Sequence, residues 1–340
     1  MAKKIATVLL IITFLIIYAC ESRKAAVVYN TDILNQRNEI SETEDENNEE
    51  EIETPQSAPA AVEATRAELV MRAIKKGYPD RIAKVEFRDD DWAVFLTNAG
   101  ADIASSDPAG KWYYYANGRL LPEEKKEEAA NFRALQFYNY TAELPPWVER
   151  SPEERERMGS WAGSRRQNTT ARSAFFLDDL FAAATRAEVE RNLVRITFLG
   201  ANIRVHKYIQ EKVVIIEAQI RSAANADREI QTWITSLGTT ESWNWRNIAD
   251  SEAKSYHAYG LAIDLLPRNL GGKQTYWLWT SQHRDDWYNV PYSQRYHPPQ
   301  AAITAFENHG FIWGGKWPLF DTMHFEYRPE VLVLNGFDYP

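Results

Sequence analysis

Residues 255–264 read S-Y-H-A-Y-G-L-A-I-D, and residues 321–326 read D-T-M-H-F-E. In the first stretch Gly260 lets the chain turn sharply after His257. Leu261, Ile263 and Leu265 then alternate with Ala262 and Asp264, the period of a strand, and the small Ala262 leaves room beside Asp264. In the second stretch Met323 and Phe325 alternate with Thr322, His324 and Glu326, so His324 and Glu326 share a face. Two such strands, set among segments of helical periodicity, predict an α+β fold: a small antiparallel sheet with flanking helices.

Together the stretches supply two imidazoles and several carboxylates. A hydrolytic zinc site needs three neutral or anionic N/O ligands and one position left for water, which two His and one carboxylate satisfy. Zinc so held lowers the pKa of its water to about 7 and polarises a scissile carbonyl. Glu326 is placed to orient a ligand from behind, and Asp321, at the strand entrance, to reach the activated water as a general base. A His followed by an Asp at this spacing is common by chance, so the weight rests on the two segments taken together.

As a pair they resemble the motifs of the zinc D-Ala-D-Ala peptidases of the VanY and VanX type, a superfamily that also holds phage L-alanyl-D-glutamate endolysins and the hedgehog domain. The pattern S-x-H-x-x-G-x-A-x-D, followed by [DE]-x-x-H, is matched by Ser255, His257, Gly260, Ala262, Asp264, Asp321 and His324. The stretches N-W-R-N-I-A at 244–249, A-F-E-N-H-G-F-I-W-G-G-K-W at 305–317 and H-F-E-Y-R-P-E at 324–330 are similar to the carboxypeptidase-like branch. The resemblance spans about residues 205–335. It implies one Zn2+ held by His257, Asp264 and His324, with Asp321 as the base and peptidoglycan stem peptide as the substrate. Many relatives carry Glu at the base position, and Asp is nearer the endolysin pattern, so the D-Ala-D-Ala and L-Ala-D-Glu bonds both stay open. Arg246 stands where relatives carry an Arg that binds a substrate carboxylate, a task suited to a bidentate guanidinium. Ser255 either donates to the same ligand or caps a turn. A peptidoglycan-binding protein that does not cut is the rival reading, and the retained Asp321 argues against it.

His206, His283, His297 and His309 lack partners at ligand spacing and read as structural or surface groups. The aromatics around the motifs, Trp243, Trp245, Tyr256, Tyr259, Trp313 and Trp317, read as core before groove.

The amino terminus carries Lys3 and Lys4, an apolar run from Ile5 to Ala19, and Cys20, the only cysteine of the chain. That is the layout of a secretory signal over 1–20, and Ile17-Tyr18-Ala19-Cys20 resembles a bacterial lipobox with Cys20 as the lipidated residue. An ordinary signal peptide or an uncleaved anchor are the alternatives; each places the body outside the cytoplasm, in the cell envelope, and the lipobox adds a membrane partner. A lone cysteine forbids an intramolecular disulfide. Residues 41–53, S-E-T-E-D-E-N-N-E-E-E-I-E, hold eight acidic residues and no basic one, and a Pro/Ala-rich stretch follows. This predicts a disordered tether over 21–63. The eight acids of residues 41–53 account for all but about −1 of the formal net charge of −9, and nothing suggests a nucleic-acid partner.

Residues 64–200 read as a smaller mixed α/β accessory region before a zinc metallopeptidase domain over 201–340. Thr65 and Glu68 make a capping-box pattern for a helix over 66–76. Val85–Phe87, Trp92–Leu96 and Lys111–Tyr115 read as strands, and 122–166 as helical turns and loops. Helices are expected at 177–184, 187–193, 208–224 and 227–237, with one strand over 195–205.

Overall fold

The computed structural model describes residues 58–338 apart from 101, 106, 166–169 and 250. The expected signal segment, Cys20 and the expected tether up to residue 57 lie outside the described residues. The first helix, α1, runs over Ala58–Gly77. Residues 58–63, expected in the tether, are therefore helical, and Thr65 lies inside α1 and not at its cap. The reason is compositional: Ala58, Ala60, Ala61 and Ala64 favour a helix, and Pro59 falls in the first turn, where no intrahelical N–H bond is lost. Val70, Met71 and Ile74 are fully buried at helical spacing.

A meander follows: β1 (Ile82–Arg88), β2 (Asp91–Thr97), β3 (Gly110–Tyr114) and β4 (Leu121–Pro122), antiparallel in sequence order. Asp89 and Asp90 turn the first hairpin with φ of 48° and 61°, the left-handed pair that a two-residue hairpin requires. From Phe132 to Ser151 the chain has almost no regular structure until α2 (Pro152–Arg165). Its carbonyls are nevertheless engaged: Gln136 accepts from Arg328, Phe137 from Arg66, Tyr138 from Asn335, and Thr141 and Ala142 from Lys316. The segment is a strap laid over the carboxyl-terminal elements.

Two short helices, α3 (Phe175–Phe181) and α4 (Arg186–Asn192), precede the hairpin β5 (Leu193–Phe198) and β6 (Ala201–His206). The single strand expected over 195–205 is this hairpin. Its turn, Leu199–Gly200, has φ of 48° and 92°, a break that the unbroken alternation of apolar residues on either side concealed. Helices α5 (Gln210–Ala226) and α6 (Arg228–Ser236) follow, the second capped by Asp227. Next come β7 (Leu237–Glu241), α7 (Tyr256–Tyr259), β8 (Ala262–Pro267), α8 (Trp277–Thr280), α9 (Gln300–Glu307), β9 (Phe311–Trp313), β10 (His324–Tyr327) and α10 (Pro329–Leu334).

The expected small antiparallel sheet has the order β7-β8-β10-β9. Behind it Phe325 stacks on Phe306 of α9 at 4.0 Å, with Ile263 and Leu265 buried alongside. One hydrophobic cluster runs from Val70 and Tyr78 through Phe181 and Ile216 to Phe325 and Tyr327, so residues on both sides of position 200 share a core. At the end of α1 a side chain on Gly77 would stand 2.9 Å from the Glu330 backbone nitrogen, and glycine lets α1 seat on α10. Tyr78 then donates to Glu330 at 2.7 Å with both groups buried. No helix among the described residues is long and apolar enough to cross a membrane.

Tyr78→Phe removes this bond while keeping the ring, and leaves a buried carboxylate short of one donor. A loss of about 1.5–3 kcal/mol in unfolding free energy, measured in urea, is expected.

Candidate active site

The site begins with a register. His324 on β10 stands directly opposite Asp264 on β8, Glu326 opposite Ala262, and Glu241 on β7 opposite Asp264 on its other side. Paired residues of antiparallel strands project to one face, so Glu241, Asp264 and His324 form a row across the sheet. The small Ala262 faces Glu326.

His257 reaches this row from α7, a single turn held at both ends. The Ser255 hydroxyl accepts from the His257 backbone N–H at 3.3 Å, and Gly260, at φ 72°, closes the turn through its N–H to the His257 carbonyl at 3.0 Å. A Cβ on Gly260 would lie 2.7 Å from Leu193 Cδ2 and 2.9 Å from the His206 nitrogen, so glycine serves both the left-handed turn and the close approach of β6. Of the two roles left open for Ser255, the hydroxyl performs the cap. The His257 ring donates from Nδ1 to the Ser242 carbonyl, which leaves Nε2 as an acceptor turned inward.

His257 Nε2, His324 Nδ1 and Asp264 Oδ1 converge, with separations of 3.1 Å between the two nitrogens, 3.2 Å from His257 to Asp264 and 2.9 Å from His324 to Asp264. Among the described residues this is the group able to hold a metal ion. Zinc bonds of about 2.0–2.1 Å toward tetrahedral corners set neighbouring donors about 3.3 Å apart, so the triangle has the right size.

Its charge fits too. His324 Nε2 lies 3.2 Å from Glu326 Oε2, so a proton there turns Nδ1 toward the triangle as a lone pair facing that of His257. Two lone pairs and a carboxylate oxygen this close need a positive charge among them. Burial lowers the His324 pKa, but the Asp264 and Glu326 carboxylates on its two nitrogens raise it well above the imidazole norm. Burial raises Asp264, yet the His257 and His324 imidazoles hold it far below its usual range. In both groups the environment selects a cation, which a divalent metal supplies while binding all three donors.

Behind His324 the charges continue. Glu326 Oε1 lies 3.5 Å from Arg328 Nη1, Arg328 binds Glu330, and Glu330 accepts from Tyr78. Burial pushes Glu326 up, but the His324 bond and the Arg328 and Arg172 charges keep it below the ordinary carboxylate range. Arg328 and Glu330 lie in the H-F-E-Y-R-P-E stretch; their partner Tyr78 and the Ser242 carbonyl left no signal in any spacing.

Asp321 sits where the chain enters β10, its N–H on the Gly314 carbonyl at 3.0 Å and its backbone bridged to Tyr276. Its Oδ1 is buried without a hydrogen-bond partner. Burial raises this carboxyl to about 7, with Asp264 adding to the rise and His324 and Arg246 opposing it. Arg246 is exposed and comes near through a loop that folds back on itself: Ser255 N–H donates to the Arg246 carbonyl at 3.1 Å, and Asn247 bridges Lys254. Lys254 anchors that loop to Asp178 of α3 at 2.5 Å.

His206, His297 and His309 are away from this group. Burial lowers His206 to about 4 and also lowers the other two, and His206 Nε2 donates to the Phe181 carbonyl at 2.9 Å. Tyr256, Tyr259 and Trp313 are buried in the core cluster, whereas the Trp317 ring lies 5.5 Å from that of His324.

Residues 249–327 match the family model described as D-alanyl-D-alanine carboxypeptidase. This segment is similar to zinc-dependent hydrolytic metallopeptidases. It contains the whole donor triangle, Asp321 and Glu326, and begins just after Arg246. Residues 70–137, which form the second half of α1, the β1–β4 meander and the start of the strap, match a domain of unknown function (DUF8518). No curated protein and no solved structure matches the chain.

Glu326→Gln removes the negative charge between His324 and Arg328 at nearly constant volume. Competition against a chelator is expected to read a loss of about 10- to 100-fold in zinc affinity.

Proposed function

We propose that this protein is a zinc-dependent peptidase that hydrolyses peptidoglycan stem peptide, with the terminal D-Ala-D-Ala bond as its first target and the L-Ala-D-Glu bond as the alternative. The observation that carries this reading is the Asp321 carboxylate, whose Oδ1 is buried without a hydrogen-bond partner beside three converging metal donors. A carboxylate oxygen held without a partner beside the metal donors is placed to take a proton from water, a task that a protein which only bound peptide would not need.

In the proposed mechanism His257, Asp264 and His324 would hold a zinc ion, and Glu326 and the Ser242 carbonyl fix the two imidazole tautomers. Bound zinc supplies Lewis acidity, polarising the scissile carbonyl and acidifying water. Asp321 takes a proton from the attacking water at Oδ1 and returns it to the leaving amine. Arg246, exposed at the mouth, holds a substrate carboxylate through a bidentate pair and so sets which bond meets the base. Ser255 contributes through the α7 cap that aims His257. Residues 1–20 direct the chain out of the cytoplasm, and Cys20 carries a lipid that holds it to a membrane of the cell envelope.

Mass spectrometry of stem pentapeptides digested by the zinc-loaded chain identifies the bond cut. Asp321→Ala is expected to lower the rate by about 10²–10⁴-fold while keeping one zinc per chain. Intact D-Ala-D-Ala and L-Ala-D-Glu bonds after incubation with zinc-loaded wild type would leave only the binding reading. Cys20→Ser is expected to move the protein from the detergent phase to the aqueous phase of a Triton extraction; unchanged partition would remove the lipid anchor.

A further inference from the structure

A hollow of about 520 Å³ opens beside the metal donors, lined by the β5–β6 hairpin on one side and by the end of β7 and residues 242–244 on the other. It adjoins the donor triangle: Glu241 pairs with Asp264, and the Ser242 carbonyl holds His257. Its walls are rich in donors. Arg195 and Arg204 are direct cross-strand partners, so their side chains share one face and both line the hollow. Among the described residues neither guanidinium has a carboxylate within ion-pair distance, although like charges directly opposed on a sheet are unfavourable. Arg204 lies over the Trp243 ring at 4.2 Å, which orients it without neutralising it. The Ser242 hydroxyl and the Trp243 indole N–H, from two further lining residues, are buried and have no hydrogen-bond partner. Glu241 is the single acid in the lining, so the balance of charge is positive.

We propose that this hollow is a carboxylate subsite, taking an acidic residue of the substrate peptide through Arg195 and Arg204, with the Trp243 ring orienting Arg204. The proposal rests on the peptidase reading above and specifies its substrate. Neighbouring strands lie about 4.8 Å apart and an extended peptide advances about 3.3 Å per residue, so the carboxylate belongs about two or three residues from the scissile bond. In stem peptide the γ-linked D-glutamate leaves its α-carboxylate free at that range from the terminal bond. Its amidated form presents a neutral carboxamide of the same shape, which cannot accept a guanidinium fork on two oxygens.

The test is calorimetric titration of the full zinc-loaded Asp321→Ala chain with L-Ala-γ-D-Glu-L-Lys-D-Ala-D-Ala and with its isoglutaminyl amide. The acid is expected to bind at least 10-fold tighter than the amide. Adding Arg195→Ala and Arg204→Ala should abolish that preference, leaving the amide's affinity within 2-fold, and Trp243→Phe should reduce it in part. Both arginines are exposed, and thermal melting checks that the double variant folds. Equal binding of acid and amide, no binding of either, or a preference that survives loss of both arginines overturns the proposal. Hydrolysis by wild type separates the two readings: cleavage without acid preference removes the subsite alone, and acid preference without cleavage removes the peptidase reading alone.

Discussion

The contact on which the rest of this structure depends is the one between Asp264 and His324, facing residues of two antiparallel strands. A register shift of one residue would turn either side chain to the opposite face of the sheet and destroy the triangle. The register is held from behind, where Phe325 and Ile263, also paired, enter the core and Phe325 stacks on Phe306. Packing on one face of the sheet therefore sets the geometry of donors on the other. His257 is added to this frame by a single turn whose two ends, Ser255 and Gly260, are both specified by backbone requirements.

Collecting so many charges in a buried place is costly unless each has partners. The partners form a chain leading away from the site: His324, Glu326, Arg328, Glu330, Tyr78. The last member belongs to the segment that precedes the meander, and the strap over 132–151 closes around the same charges, with the Gln136 carbonyl accepting from Arg328. The region before position 200 thus serves the site by satisfying groups that the site's own residues leave exposed to one another. A further strut, Lys254 to Asp178, ties the loop bearing Arg246 to the same region. These contacts give the match over residues 70–137 a physical relation to the match over 249–327, although the first family model carries no function of its own.

Electrostatically the centre and its rim are opposites. The donor triangle and Asp321 bring carboxylates together in a desolvated place, where burial and the Asp264 charge push the Asp321 carboxyl up and a cation is favoured. The rim carries Arg246, Arg195 and Arg204, exposed cations suited to an anionic peptide. In the proposed reading a substrate carboxylate pairs with these arginines and is repelled by the carboxylates of the centre, so its distance from the scissile bond discriminates more than total charge does.

Much of this was legible in the sequence because it is written in short-range spacing. The period-2 alternation around Asp264 and His324, the glycine after His257, the carboxylate two residues beyond His324 and the first three strands of the meander are local patterns, and the chain adopts them. Local signals compete at two places: Leu199–Gly200 turns the chain within continuous alternation, and Thr65–Glu68 imitates a helix start inside a longer alanine-rich helix. The sequence by itself determined which residues could bind a metal, and that two strands and a turn would carry them. Only the tertiary structure decided which nitrogen of each imidazole faces inward, that Ser255 caps the turn, that Asp321 is buried without a partner, and that Tyr78 and the Ser242 carbonyl complete the site. The reason is that these depend on burial and on hydrogen bonds between groups as far apart as residues 78 and 330, and no spacing along a chain encodes a desolvated neighbour.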